Sequence, residues 1–315
     1  MSTFDDDGSV RDVTTAFSVL GNETRMDVLR ALWEADGPVS YADLRRAVVP
    51  DDRGNLHYHL DKLAGHYITK TDDGYALRFT GEQIVRAVVA GTFTTGTSIP
   101  PVEVDVECGY CDGQLELFYR DDRITIRCPD CIGSVGGRLP RGWFLHYGFP
   151  PAGLAGRSPE SIVEAAEVLI ETKLSALLNG VCSECAGTVE RTIEVCEDHE
   201  LEEGVCRNCE TRYAAWVTLQ CVQCRYERTV SAWYASLSHP AVVSFLADHG
   251  HESIQPFRIF TSGLARFKRD VEIEVLETDP YRLRVTIHVN DETLAVTVDD
   301  AFRVESVERS NSSSP

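Results

Sequence analysis

Eleven cysteines carry most of the chemistry open to this 315-residue chain. Ten of them form five Cys-x-x-Cys pairs, Cys108/Cys111, Cys128/Cys131, Cys182/Cys185, Cys206/Cys209 and Cys221/Cys224, and Cys196 stands apart. The first seven residues are acidic, with no apolar run behind a basic segment, so they do not read as a secretory signal. Disulfides are therefore disfavoured. One Cys-x-x-Cys would suit redox chemistry, but five spread along a chain suit zinc. Cys108-x2-Cys111-x16-Cys128-x2-Cys131 has the spacing of a zinc ribbon. Four thiolates close a tetrahedral site and leave no position for water, so its role is structural.

The other seven cysteines are an odd number for tetrathiolate sites, and His199 supplies the missing ligand. Taken in chain order, Cys182, Cys185, Cys196 and His199 form one site, and Cys206, Cys209, Cys221 and Cys224 another. Twelve ligands then serve three zinc ions. A crossed alternative pairs Cys182/Cys185 with Cys206/Cys209 or with Cys221/Cys224 and leaves a pair vacant or redox-active. The expectation is two to three zinc ions per chain, and the spacing leaves both groupings open.

These ligands need elements to hold them. Alternating residues at 115–119 and 123–127, about Asp121-Asp122, predict the hairpin of the first ribbon, and 211–219 the body of a later one. The aromatic stretch 143–149 reads as buried. Ser158-Pro159 opens a helix with Val163, Ala166, Ile170, Leu174 and Leu177 as its apolar stripe and Asn179-Gly180 as its stop. A short helix runs from Ser238-His239-Pro240 to Gly250. Strands at 271–276, 281–289, 293–298 and 302–307 form a β-meander, whose wet face carries Glu272, Glu274, Arg282 and Arg284. The tail 310–315 reads as disordered.

Upstream of the cysteines the pattern is helical. Helices are predicted at 13–20, at 23–35 with Asn22 as N-cap, at 41–48 with Ser40 as N-cap, and at 53–66. Two strands, 67–71 and 75–79, flank Asp72-Asp73-Gly74, and a last helix over 81–90 is capped by Thr80. That order is the order of a winged helix-turn-helix. A helix about 10–12 Å across fits a DNA major groove about 12 Å wide. In the helix over 53–66, Leu56, Leu60 and Leu63 face inward, which leaves Asn55, Tyr58, Asp61 and Lys62 outward. Asn55 suits paired hydrogen bonds to adenine, and Tyr58 a phosphate or a thymine methyl. Arg53 and Lys62 suit phosphates, and Lys70 on the hairpin is counted with them. His59 lies at the edge of the core, and Asp61 opposes DNA unless it accepts from cytosine or orients Lys62.

The run 20–32, LGNETRMDVLRAL, resembles the opening helix of arsenic-repressor-type (ArsR-like) regulators. The run 56–63, LHYHLDKL, resembles their recognition helix, and 72–77 their wing. The resemblance covers about residues 10–92. It implies a winged-helix fold, sequence-specific binding to double-stranded DNA, and a homodimer formed through 13–20 and 84–89. The helix over 41–48 has no cysteine, so the metal-sensing site of that family is absent.

Thirty basic residues against fifty acidic give a net charge of −20, and only four of the basic residues are lysines. This balance resembles proteins of salt-loving archaea, in whose cytoplasm the Debye length falls to about 3 Å at 1 M salt. Net charge then says little about partners. The segment 37–80 holds six bases and six acids, a neutral island in an acidic chain. No apolar run approaches the ~18–20 residues of a membrane helix, so the chain reads as cytoplasmic. No glycine-rich phosphate loop and no Gly-x-Ser-x-Gly occurs, so no enzyme is expected.

The expected fold class is α+β, a winged helix-turn-helix followed by zinc ribbons, a helical segment and a C-terminal β-meander. Its parts are 10–92, a zinc-ribbon body over 103–265, the meander over 266–309 and the tail. The expected function is sequence-specific transcriptional regulation. The alternative is a basal transcription or protein-interaction module that contacts polymerase or another protein through the winged helix and the ribbons, as in archaeal general transcription factor E alpha.

Overall fold

The computed structural model describes residues 6–49, 55–93, 96–134, 140–237, 239–250 and 270–311. These fall into two compact units, one of the described residues up to 93 with 150–152, the other of the rest. Among the described residues no helix is long and apolar enough to cross a membrane.

The first unit runs α1 (Asp6–Leu20), α2 (Glu23–Glu34), α3 (Tyr41–Val48), α4 (Leu56–Leu63), the hairpin β1 (Ile68–Thr71) and β2 (Gly74–Leu77), then α5 (Phe79–Val89). Three helices start on side-chain caps. Asn22, Ser40 and Asn55 each accept a backbone N–H three residues on, at 3.2 Å, satisfying a donor that has no partner inside the helix. Val28, Leu29 and Leu32 of α2, Leu44 of α3, and Leu56, Leu60 and Leu63 of α4 make the core with Ile68, Tyr75 and Val85.

Several boundaries differ from expectation. The first helix begins at Asp6 rather than 13. The fourth spans Leu56–Leu63 rather than 53–66, because Asn55 caps it and Ala64 turns extended just before Gly65 at φ 84°. The last begins at Phe79 with Arg78 as N-cap and no side-chain cap, so Thr80 lies inside it. Arg78 N–H is already bonded to the Tyr67 carbonyl at 2.8 Å, and the helix follows the hairpin with no loop to hold a capping hydroxyl.

Gly74 pairs with Thr71, which leaves Asp72-Asp73 as the turn. Its neighbour Tyr75 exchanges two 2.9 Å backbone bonds with Val39. A Cβ on Gly74 would lie 2.3 Å from the Val39 carbonyl oxygen, at φ +139°. Only glycine allows that approach.

The second unit contains a four-stranded antiparallel sheet, β3 (Ile99–Glu107), β4 (Gln114–Arg120), β5 (Arg123–Arg127) and β6 (Trp143–Gly148), in that order. Asp121 and Asp122 both have positive φ, the geometry of a tight two-residue hairpin turn. The stretch expected to be buried is β6, an edge strand. Tyr147 and the following Phe149 are buried, and the residues before them are half-buried.

Next comes α6 (Pro159–Leu178), capped by Ser158. Then follow β7 (Val189–Val195), β8 (Leu201–Glu202), β9 (Val205–Cys206), β10 (Ala215–Cys221), β11 (Glu227–Ser231), α7 (Ala232–Ser236) and α8 (Pro240–Asp248). One sheet has the order β11-β10-β7, and β8 pairs with β9. The chain ends in the meander β12 (Val271–Thr278), β13 (Tyr281–Val289), β14 (Glu292–Val298) and β15 (Val304–Asn311). Ser310 and Asn311, expected in the tail, pair with Thr293 and Glu292.

Helix α6 serves two cores. Ile162, Val163 and Ala166 pack with the β3–β6 sheet, and Leu174 and Leu177 with the second cluster. That cluster holds Trp233 and Phe245 together with Leu283, Val285, Leu294 and Val296. The meander, expected as a part of its own over 266–309, therefore shares a core with the later cysteine region. A four-stranded sheet with one apolar face must cover it, and α7 and α8 supply the cover.

Gly74→Ala is expected to cost the first unit about 1–3 kcal/mol. Hydrogen exchange at Val28 and Leu29 should speed up accordingly; unchanged exchange would contradict the close approach.

Candidate metal centres

The structure gathers the twelve expected ligands into three sets, each with its ligand atoms within 4.8 Å of one another. Cys108, Cys111, Cys128 and Cys131 form the first, as the spacing predicts. Cys182, Cys185, Cys221 and Cys224 form the second, and Cys196, His199, Cys206 and Cys209 the third. The chain-order grouping is thus corrected: the third set is nested inside the second, and no pair is left over.

The reason is strand geometry. Strands β7 and β10 pair antiparallel from Val189↔Cys221 to Val195↔Ala215. Cys182 and Cys185 precede β7, and Cys221 and Cys224 end β10, so they meet at one end of the ladder. Cys196 and His199 follow β7, and Cys206 and Cys209 precede β10, so they meet at the other. Chain-order grouping would require Cys185 and Cys196 to meet across a seven-residue extended strand, whose ends lie about 20 Å apart.

Local geometry is repeated. In four knuckles the residue after the second cysteine, Asp112, Ala186, Glu210 or Arg225, has φ between 57° and 61°. Its N–H returns to the first cysteine's carbonyl at 2.8–3.0 Å. Non-glycine residues avoid this region, at roughly 1–2 kcal/mol each, so the surrounding contacts must impose it. N–H groups of Tyr110, Gly133, Glu184 and Asn208 donate to Cys108, Cys131, Cys182 and Cys206 Sγ at 3.3–3.4 Å.

The sets fit a metal ion. Thiolates about 2.3 Å from a tetrahedral centre lie about 3.8 Å apart. Cys108 and Cys131 Sγ are 3.7 Å apart, and Cys111–Cys128, Cys182–Cys224 and Cys185–Cys221 are 3.5 Å apart. His199 presents Nδ1 at 3.4 Å from Cys209 Sγ, while Nε2 lies 3.4 Å from the Arg212 carbonyl. A bond from Nε2–H to that carbonyl leaves Nδ1 as the ligand atom. Burial holds the imidazole below its ordinary value, in the neutral form a metal needs.

Each set holds one acidic thiol. The Cys108 side chain is first among the groups that pull Cys131 down to about 5. The Cys224 N–H leads in bringing Cys221 to about 6. Burial raises Cys206, but the N–H groups of Cys209 and Asn208 outweigh it and bring the thiol to about 7.

The residues expected on DNA lie in the first unit. Arg53 falls outside the described residues. Asn55 is the N-cap of α4, so any base contact would share the Oδ1 that accepts from Tyr58 N–H. Tyr58 is 50 % exposed, and the Lys62 ammonium lies 5.6 Å from its ring centroid. Lys70 is exposed on β1, and His59 is half-buried. Arg212, Tyr110 and Gly133, which brace the ligands, were not legible, because nothing in the sequence marks a residue that acts through a neighbour's backbone.

Two outcomes follow from the geometry. Cys196→Ser should remove one metal ion from the chain and leave Cys182, Cys185, Cys221 and Cys224 protected from alkylation; alkylation of Cys182 and Cys185 would restore the chain-order grouping. Acid should release metal. Protons compete with the ion for every thiolate, so release to a chromogenic chelator should rise as pH falls; release independent of pH would contradict thiolate ligation.

Comparison with known proteins gives two family matches. Residues 13–88 match the model of a domain of unknown function (DUF7347), and residues 105–304 that of another (DUF7351). The interval between the matches contains the boundary between the two units. No curated protein and no solved structure matches the chain. The second match covers more than half of the chain and all twelve metal-ligand candidates, and the chain belongs to that family, the domain of unknown function DUF7351.

Proposed function

We propose that this protein is a DNA-binding transcriptional regulator whose second unit is built on three structural zinc sites. The observation that carries the reading is the division of α4. Leu56, Leu60 and Leu63 build the core, and Tyr58, Asp61 and Lys62 stay exposed on a helix of groove-fitting width. The element order of the first unit supports a winged helix-turn-helix with α4 as recognition helix and β1–β2 as wing. Lys70 would contact the phosphates beside it. Phe17 of α1 is 65 % exposed and Val89 of α5 is 63 % exposed. Such apolar side chains on two helices support a homodimer formed through them.

Thiolate ligands favour zinc over hard cations. Bound there, zinc would supply folding free energy and no catalytic water, because four protein ligands fill its coordination. The ribbons would then display the acidic surface of the second unit to a protein partner. Asp61 on the exposed face of α4 favours a second reading, in which that face contacts a protein such as polymerase.

Selection of DNA sites by the purified chain in molar salt tests the choice. Enrichment of one sequence with two half-sites ~34–36 Å apart, bound by a dimer, supports the regulator. Lys62→Ala should then weaken all sites evenly and lower the salt slope by about 1. No enrichment, with a monomer in light scattering, overturns it.

A further inference from the structure

We propose that Arg212 is a positioning residue shared by the first and third metal centres, which therefore hold and release their ions together while the second acts alone. The proposal rests on the zinc reading above. Arg212 Nε donates to the Gly133 carbonyl at 2.8 Å, and the Gly133 N–H donates to Cys131 Sγ at 3.3 Å. The Arg212 guanidinium lies 3.9 Å from the Tyr110 ring centroid, and the Tyr110 N–H donates to Cys108 Sγ at 3.4 Å. One residue of each knuckle of the first centre is thus held by the same side chain.

The same residue reaches the third centre by its backbone and its other nitrogen. The Arg212 carbonyl faces His199 Nε2 at 3.4 Å, which fixes the imidazole with Nδ1 toward the thiolates. Arg212 Nη1 donates to the Gly204 carbonyl at 3.1 Å, in the turn between β8 and β9 that leads to Cys206. Its two neighbours repeat the pattern. Thr211 Oγ1 lies 3.1 Å from Cys209 Sγ, and the Tyr213 and Tyr110 hydroxyls are 2.8 Å apart. Among the described residues, no hydrogen bond or ring contact of Arg212 goes to the second centre. That centre is braced separately, by the Glu184 N–H on Cys182 Sγ and the Glu184–Lys173 ion pair.

Charge gives a reason for an arginine here. Four thiolates around a divalent ion leave two negative charges, and three thiolates with an imidazole leave one. A guanidinium between two anionic centres offsets both. Its planar fork donates in two directions while its face stacks on a ring, which an ammonium does not do.

The test follows which cysteines of the zinc-loaded full chain are alkylated during exposure to a chelator, read by mass spectrometry. In Arg212→Met, Cys108, Cys111, Cys128 and Cys131 and the thiols of Cys196, Cys206 and Cys209 should be modified about 10–100-fold faster, the usual effect of losing an outer-sphere partner. Cys182, Cys185, Cys221 and Cys224 should keep their wild-type rate. Cys209→Ser, which breaks the third centre directly, should speed release from the first, but not further in an Arg212→Met background. Unchanged rates at the first centre, or equal acceleration at all three, overturn the proposal. A wild-type chain that binds no zinc overturns the metal reading itself, whereas three bound ions with independent release rates overturn the shared bridge alone.

Discussion

A β-strand holds its own ends apart, and the second unit is arranged around that fact. Strand β7 separates Cys185 from Cys196 by seven extended residues. Neither end can complete a tetrahedron from its own side. Each must find its partners beside an end of β10, which runs antiparallel to β7. The ladder and the two ligand sets therefore specify one another. The ladder brings the knuckles into reach, and ligation at both ends would fix the register, since a slip of one residue moves both sets and turns every side chain to the opposite face. The buried Val217 and Leu219 of β10 and Ile193 of β7 depend on that register.

What the sequence revealed and what it hid divide along the same line. Local spacing identified all twelve residues that the structure gathers into three candidate metal centres, the hairpin of the first ribbon, the capped starts of α2, α3 and α6, and the four strands of the meander. Each of these is encoded within a few residues, by a cap, a turn or an alternation. The grouping of the later cysteines is set by pairing between strands twenty residues apart, which the Cys-x-x-Cys spacing does not record. The alternation of 189–195, with Val189 and Ile193 buried, is the local signal of the strand that sets this grouping. The common core of α7, α8 and the meander has no local signal either, because covering one face of a sheet is a tertiary requirement that any apolar helix could meet.

The first unit illustrates a different limit. The apolar positions of α4 follow from its period, but the position of Asn55 relative to the helix start does not. A shift of two or three residues in the boundary changes that side chain from a surface group to a cap, and with it the hydrogen bonds left over for anything else. His59 is similar. Its half-buried ring sits near Arg25, and burial together with that charge keeps it below its ordinary value. Periodicity alone places it at an edge without saying which neighbour decides its protonation.

Helix α6 binds its two cores by phase. Successive residues turn by about 100°, so Ile162, Val163 and Ala166 point to one sheet and Leu174 and Leu177 to the other core only because a fixed number of residues lies between them. Many single substitutions on its exposed face would leave this relation intact. Inserting or deleting one residue near its middle would not: it would rotate one half against the other by more than a quarter turn and lift one set of side chains out of its core. The helix tolerates changes of composition but not of length, and its count of residues is as much a part of the fold as their identity.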